Sequence, residues 1–213
     1  SQLTPEAATG FPKISSSGKV YDFAVNASFT KFSDGKAVTA ANFKAAFDRI
    51  ADPKMQSPAQ AFMSDIVGSD KTPVSGVRVN GNHLIITLKK AAPDFLARMA
   101  MPFFSAIPTN LPHDANGVET PASAGPYYVA SRTPNKSIIV KKNPYYKGKR
   151  PHNVNQFVYT VGNSLEAIRL RVEQGESDYA ADGIPPSAYA EVATKYGVNK
   201  GRFFVKPILA VNY

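Results

Sequence analysis

The chain has 213 residues, a net charge of +9 and 43% hydrophobic residues, enough to bury a core in one large domain or two small ones and too apolar for wholesale disorder. It contains no cysteine, which excludes disulfides, thiol catalysis and cysteine-ligated metal. No run approaches the ~20 apolar residues of a membrane-spanning helix, and the opening SQLTPEAATG lacks the basic-then-apolar order of a signal peptide.

After the turn Ser15-Ser16-Ser17-Gly18, Tyr21, Phe23 and Val25 alternate with Asp22 and Ala24, the period of a half-buried strand. Ser33-Asp34-Gly35 reads as a turn. Thr39 is placed to cap a helix by accepting from a free N–H of the first turn. Phe43, Ala46, Phe47 and Ile50 then recur at helical spacing. That helix ends before Asp52-Pro53, because the residue preceding proline avoids the α region. A second short helix is expected over residues 59–67. Val77 to Leu88 alternates on both sides of Asn80-Gly81, the pattern of a tight hairpin. A short helix should start at Pro93, and four prolines between Met101 and Pro121 predict an extended connector.

Strand patterns return at Tyr127–Val129, Ile138–Val140 and Phe157–Val161. Asn163 and Glu166 have the spacing of a capping box. Leu165, Ile168 and Val172 would be that helix's buried stripe, and Gly175 its stop. A further helix is expected from Pro186 to Tyr196, closed by Gly197, and strand from Phe203 to Tyr213.

Charge is uneven along the chain. Residues 1–121 carry 12 Lys and Arg against 10 Asp and Glu, and residues 122–213 carry 13 against 6. The densest run, KKNPYYKGKR from Lys141 to Arg150, admits two readings. One is a basic nucleic-acid or polyanion-binding module with Tyr145 and Tyr146 as stacking platforms. The other is a solvated loop with its tyrosines packed beneath it.

Motifs for chemistry are missing from the sequence. Asp34-Gly35-Lys36 echoes the end of a phosphate loop, but Thr30 stands where the first glycine belongs and no hydroxyl residue follows Lys36. His83, His113 and His152 are isolated, without a second ligand one helical turn away. There is no Gly-x-Ser-x-Gly elbow, and Glu173 and Glu176 read as solvated carboxylates on a helix.

One order of signals spans nearly the whole chain. Gly18, Tyr21 and Phe23 precede Phe32-x-Asp34-Gly35, then Val38-Thr39-Ala40 and a helix ending in Arg49. Ala51-Asp52-Pro53-Lys54, the hairpin, Pro93-x-Phe95-Leu96 and Gly125-Pro126-Tyr127 follow. Lys142-Asn143-Pro144-x-Tyr146, Gly148-Lys149-x-Pro151, Arg169 and Gln174-Gly175-Glu176-x-Asp178 complete it. In this order the chain resembles the family 5 extracellular solute-binding proteins, the oligopeptide-, dipeptide- and nickel-binding group of ABC importers. Two positions depart from that pattern. Phe29 stands about where a glycine is usual, and Asn42 replaces a usual acidic residue and should weaken the capping box of the first helix.

The resemblance implies an α/β (mixed α+β) fold of the periplasmic-binding-protein-like type II class, present in part. Residues 1–121 would be the accessory subdomain of the N-terminal lobe and residues 122–213 part of the main N-terminal lobe, with the second lobe absent. It implies an extracytoplasmic protein, periplasmic or anchored at the cell surface, that binds an oligopeptide, dipeptide or other small solute. Delivery would be to ABC permease subunits in the membrane, by a monomer without catalysis, cofactor, metal or nucleic acid. Relatives close two lobes on the ligand, a population shift about a hinge. By resemblance, Phe62 in the segment 57–63, Ser123-Ala124-Gly125 near the hinge, and Asn212 and Tyr213 at the lobe crossing are the ligand-contacting candidates. Packing is the competing role for each of them.

Overall fold

The alternation of Tyr21 and Phe23 does produce a strand, one of four in an antiparallel sheet. Described in the computed structural model are residues 3–196 apart from Ala27 and Thr30. The strand expected over 203–213, with Asn212 and Tyr213, and the helix stop at Gly197 lie outside the described residues.

Strands β1 (Lys13–Ile14), β2 (Val20–Ala24), β3 (Val77–Asn80) and β4 (His83–Thr87) pair in the order β1-β2-β4-β3. The register sets Tyr21 opposite Ile86 and Phe23 opposite Leu84, so these four side chains share one face. Helix α1 (Ala40–Ala51) packs there, sharing one buried cluster with Tyr21, Leu84 and Ile86 through Phe47 and Ile50. Full burial of a phenylalanine such as Phe47 stabilises by about 2–3 kcal/mol. Phe104 stacks on it with ring centroids 5.0 Å apart.

The first helix starts at Thr39 as expected, with both halves of a capping box formed between Thr39 and Asn42. The Thr39 hydroxyl also lies 2.9 Å from Asn42 Oδ1, and the Thr39 backbone N–H donates to the same oxygen at 2.9 Å. Asn42 therefore supplies the reciprocal half of a capping box, the role it was expected to weaken. Its Nδ2 also donates to the Ile107 carbonyl at 3.0 Å, which a carboxylate cannot do.

The hairpin turn is Gly81-Asn82, with Gly81 at φ +56°. Asn82 ties three segments together, its Oδ1 accepting from the Ala40 N–H at 3.3 Å and its Nδ2 donating to the Val25 carbonyl at 2.7 Å. Before the hairpin, Gly76 is pinched between two backbones. Its N–H donates to the Val67 carbonyl at 2.8 Å and its carbonyl accepts from the Thr87 N–H at 2.8 Å.

The expected helix over 59–67 is a 3-10 helix, Pro58–Met63, started by Ser57, whose side chain accepts from the Ala59 N–H. Helix α2 is short, Phe95–Met99. The proline-rich connector contains one 3-10 turn, Pro102–Phe104.

A second sheet holds β5 (Tyr127–Thr133), β6 (Ser137–Lys142) and β7 (Gln156–Thr160) in that order. β5 and β6 are antiparallel, with a bulge between Val129 and Ser131. The chain divides into two compact units, Ser1–Tyr159 and Thr160–Tyr213.

In the second unit, α3 (Leu165–Gln174) is capped by Ser164, whose Oγ accepts from the Ala167 N–H at 3.2 Å, rather than by Asn163. Gly175 ends it at φ +79°, where a side chain would be strained. Val172 is buried, but Leu165 is exposed and the buried Arg169 takes part of the expected stripe. Arg169 pairs with Glu166, Glu173 and, on α4 (Tyr189–Tyr196), Glu191. Glu173 is therefore an ion-pair partner and not a solvated carboxylate.

Candidate functional site

Lys142-Asn143-Pro144 brings a carboxamide into the interior of the first unit, where Asn143 is 1% exposed. A buried amide must satisfy two donors and an acceptor. Asn143 Nδ2 lies 3.1 Å from the Lys31 carbonyl oxygen, 3.1 Å from that of Ser123 and 3.0 Å from that of Gly125. Its Oδ1 accepts from the Tyr145 N–H at 3.0 Å, closing an Asx turn around Pro144, and its backbone N–H donates to the Pro126 carbonyl.

The candidate segment Ser123-Ala124-Gly125 is fixed by this node. Ser33 N–H donates to the Ser123 carbonyl at 2.9 Å, and Ser123 N–H donates to Ser33 Oγ at 3.2 Å. The Ser123 hydroxyl accepts from the Gly125 N–H at 3.1 Å. All three residues remain half-buried. The Ser123 carbonyl spends both lone pairs inside the protein, on Ser33 and Asn143, so it is not what the segment offers a ligand. Gly125 does not adopt the positive φ that favours glycine, and a Cβ there would meet Ser123 Oγ at 3.5 Å, normal contact distance. The fold itself does not require glycine at this position.

The Ser33-Asp34-Gly35 turn belongs to the same node. Gly35 N–H donates to the Phe32 carbonyl at 2.8 Å and Phe32 N–H to the Lys36 carbonyl at 2.9 Å. Gly35 adopts φ +85° beneath the Tyr145 ring, which a Cβ would meet at 3.4 Å. Lys36 pairs with Asp34 at 2.9 Å and holds its carboxyl below the usual range, through that contact and its backbone N–H.

Phe62, the other candidate within the described residues, belongs to a separate cluster. Half-buried, it stacks on Phe103 with centroids 6.0 Å apart and planes 15° apart, and its carbonyl accepts from Arg98 Nη1 at 3.1 Å. Arg98 also donates to Asp65 Oδ2 at 2.9 Å, which anchors the backbone of the 3-10 helix. Phe103 is 44% exposed, so the pair presents aromatic surface while Phe62 packs inward.

The basic run is largely committed to structure. Tyr146 is 5% exposed, its hydroxyl bonds Glu6, and Arg150 pairs with Glu6 at 3.0 Å while covering the Tyr146 ring at 5.6 Å. Burial, then the Glu6 contact, raises the Tyr146 phenol above its ordinary pKa. Tyr146 is thus no platform for a base, and a Cβ at Gly148 would meet the Tyr146 phenol oxygen, which would have to shift to admit it.

The histidines also have local partners. His83 Nδ1 lies 2.7 Å from Asp22 across β2 and β4, and His113 Nδ1 lies 2.6 Å from Asp52. The His113 contact, followed by the Lys54 N–H, lowers the Asp52 carboxyl below the ordinary carboxylate range. The sign follows: a carboxyl depressed in the folded state stabilises it at neutral pH, and this contribution disappears as pH falls through the depressed value. Replacing His113 by alanine should raise the Asp52 titration toward that of an ordinary aspartate, as followed by carboxyl carbon NMR. An unchanged midpoint would show that His113 is not the cause.

Asn143 was legible as part of a motif, but its amide nitrogen finds its partners in two other segments, at Lys31 and at Ser123–Gly125, and nothing local in the sequence announces them. Searched against known families, residues 2–213 match the model described as bacterial extracellular solute-binding proteins, family 5 middle. The chain is 27% identical over 169 residues to the periplasmic oligopeptide-binding protein OppA of Salmonella typhimurium, covering 73% of this chain and 31% of that one. To the probable D,D-dipeptide-binding periplasmic protein DdpA of Escherichia coli it is 28% identical over 191 residues, covering 86% and 34%. It spans about a third of the length of these relatives. Among solved structures, clavulanic acid biosynthesis oligopeptide binding protein 2 superposes with a TM-score of 0.79 at 19% identity, covering 89% of this chain and 37% of that one. The mixed α/β fold is therefore part of the periplasmic-binding-protein type II architecture. By its match from residue 2 to residue 213, the chain belongs to family 5 of the bacterial extracellular solute-binding proteins.

Proposed function

We propose that this chain is part of the solute-binding component of an ABC importer, one that takes up an oligopeptide or dipeptide outside the cytoplasm and delivers it to a membrane permease. It does so as a binding protein, without a chemical step. The observation that carries the reading is the Ser123–Gly125 segment, a half-buried backbone strip held rigid by the buried Asn143 and ending in a glycine that the fold does not need. Rigid backbone is what main-chain recognition of a peptide uses, since affinity then comes with little side-chain selectivity, and a glycine lets another backbone approach closely. Relatives named for binding oligopeptides and dipeptides support the ligand class.

We place residues 1–121 in the accessory subdomain and residues 122–213 in the main N-terminal lobe, with the Ser33–Ser123 and Lys31–Asn143 hydrogen bonds as the joint between them. Phe62 would face ligand through the aromatic pair it forms with Phe103, and Asn212 and Tyr213 where the chain leaves the lobe.

The Gly125→Ala variant tests the reading. Its melting temperature should match the wild type, because the added methyl meets only an ordinary contact. Its affinity for a pool of short peptides, measured by calorimetry on the parent protein, should fall about tenfold. Wild-type affinity in a folded Gly125→Ala protein would remove close backbone approach from the account.

A further inference from the structure

One feature of the first unit belongs neither to the Asn143 node nor to the Phe62 cluster. Between the face of the four-stranded sheet and the N-terminal segment lies a cavity of about 200 Å³. Its floor is the core itself: Phe43, Phe47, Leu84, Ile86 and Phe104. Its outer wall is the segment 3–12, through Leu3, Ala8 and Phe11. Among the described lining residues, Thr4 supplies the sole polar side chain and none is charged.

The wall is tethered at few points. Ala8 bridges Val25, Thr9 N–H donates to the Ala24 carbonyl at 2.9 Å, and Asn26 N–H donates to the Ala7 carbonyl at 2.8 Å. The Glu6 pairing with Tyr146 and Arg150 closes one end. At the other end Phe11 is 62% exposed although it lines the cavity, so its ring stands at the mouth. A core that retains such a space has forfeited the dispersion contacts that close packing provides. Water gains little there, because it needs two to four polar partners.

We infer that this cavity is a binding site for an uncharged apolar group, one six-membered ring or an alkyl chain of similar bulk, entering past Phe11. The size fits, since an apolar cavity of about 150 Å³ lined by similar residues stays dry and takes up benzene. The lining decides the chemistry. A carboxylate or ammonium would be buried there without a partner, which is strongly unfavourable, so a peptide terminus or charged solute is excluded from it. The site does not rest on the transport reading.

The test uses toluene as probe and benzoate as its charged counterpart of equal shape. In methyl-labelled protein, toluene should shift the Leu84 and Ile86 methyl resonances saturably and raise the melting temperature by mass action; benzoate should do neither. Two variants fill the space from the outer wall. Ala8→Leu extends a lining side chain, and Gly10→Leu starts from a position where a Cβ meets nothing within 4 Å. Each folded variant should bind toluene about tenfold more weakly or worse. Absence of saturable shifts at Leu84 and Ile86 in the wild type would overturn the proposal, as would wild-type affinity in either folded variant. If one variant fails to fold, the other and the toluene–benzoate contrast still decide.

Discussion

Replacing Asn143 by aspartate should lower the stability of the first unit by about 3 kcal/mol or more, with alanine costing about 2–3 kcal/mol. Aspartate keeps the acceptor for the Tyr145 N–H but sets a carboxylate against three carbonyl oxygens now 3.0–3.1 Å from the amide nitrogen. Either the charge stays buried and unpaired or it is neutralised at a cost. Alanine leaves the Lys31 and Gly125 carbonyls without this donor, while the Ser123 carbonyl retains Ser33. Urea unfolding measures both, and an unchanged denaturant slope would confirm that the native state lost the energy. An aspartate variant within about 0.5 kcal/mol of wild type would mean that the node does not hold the three segments together.

Gly76→Ala should be comparably severe, at about 3 kcal/mol, though nothing about its dihedral angles demands glycine. A Cβ there would lie 2.5 Å from the Val67 carbonyl oxygen and 2.9 Å from both the Val67 nitrogen and the Thr87 oxygen. Those atoms belong to backbone hydrogen bonds, Val67 N–H to the Thr87 carbonyl and Gly76 N–H to the Val67 carbonyl. Yielding a few tenths of an ångström would therefore cost pairing at the edge of β4. Gly81→Ala provides the contrast. Its Cβ meets open space but its φ is +56°, so the cost is backbone strain alone, about 1–2 kcal/mol. Thermal unfolding should rank Gly76→Ala as the worse of the two, and the opposite ranking would show that the pinch relaxes freely.

The elements legible in the sequence were those written in local periodicity. The stripe Phe43, Phe47 and Ile50 and the alternation around Asn80-Gly81 gave a helix and a hairpin where expected, because both patterns depend on neighbours a few residues apart. Cap positions were legible to within a residue, but not every partner was. Asn42 completes the box it was expected to weaken, and Ser164 rather than Asn163 starts α3. Several hydroxyl and amide groups stood within reach there, and tertiary partners such as the Ile107 carbonyl decided among them.

The interior polar groups were the least legible. Asn143 bonds carbonyls 112, 20 and 18 residues away, and Arg169 bonds a glutamate 22 residues away. Pairings at such separations leave no local signature, so Arg169 emerged within what looked like an apolar stripe. Tyr146 is a similar case. Its place in a basic run left open a stacking platform or a ring packed beneath the loop; the ring is packed, and its partner Glu6, 140 residues earlier, was not foreseeable. Of the candidate site, the segment 123–125 and Phe62 were located through family resemblance, and their supporting shells became visible only in three dimensions.

We propose that this chain supplies one wall of a peptide-binding cleft, with residues 57–63 and 123–125 on it. Titrating the isotope-labelled chain with a pool of short neutral peptides and following backbone amide shifts tests this directly. Fast-exchange shifts should concentrate in those two segments, with a dissociation constant of about 1 mM, because a single wall forms only part of the contacts. Shifts confined to residues 141–150, no shifts at all, or one-to-one binding tighter than about 1 µM would overturn the proposal.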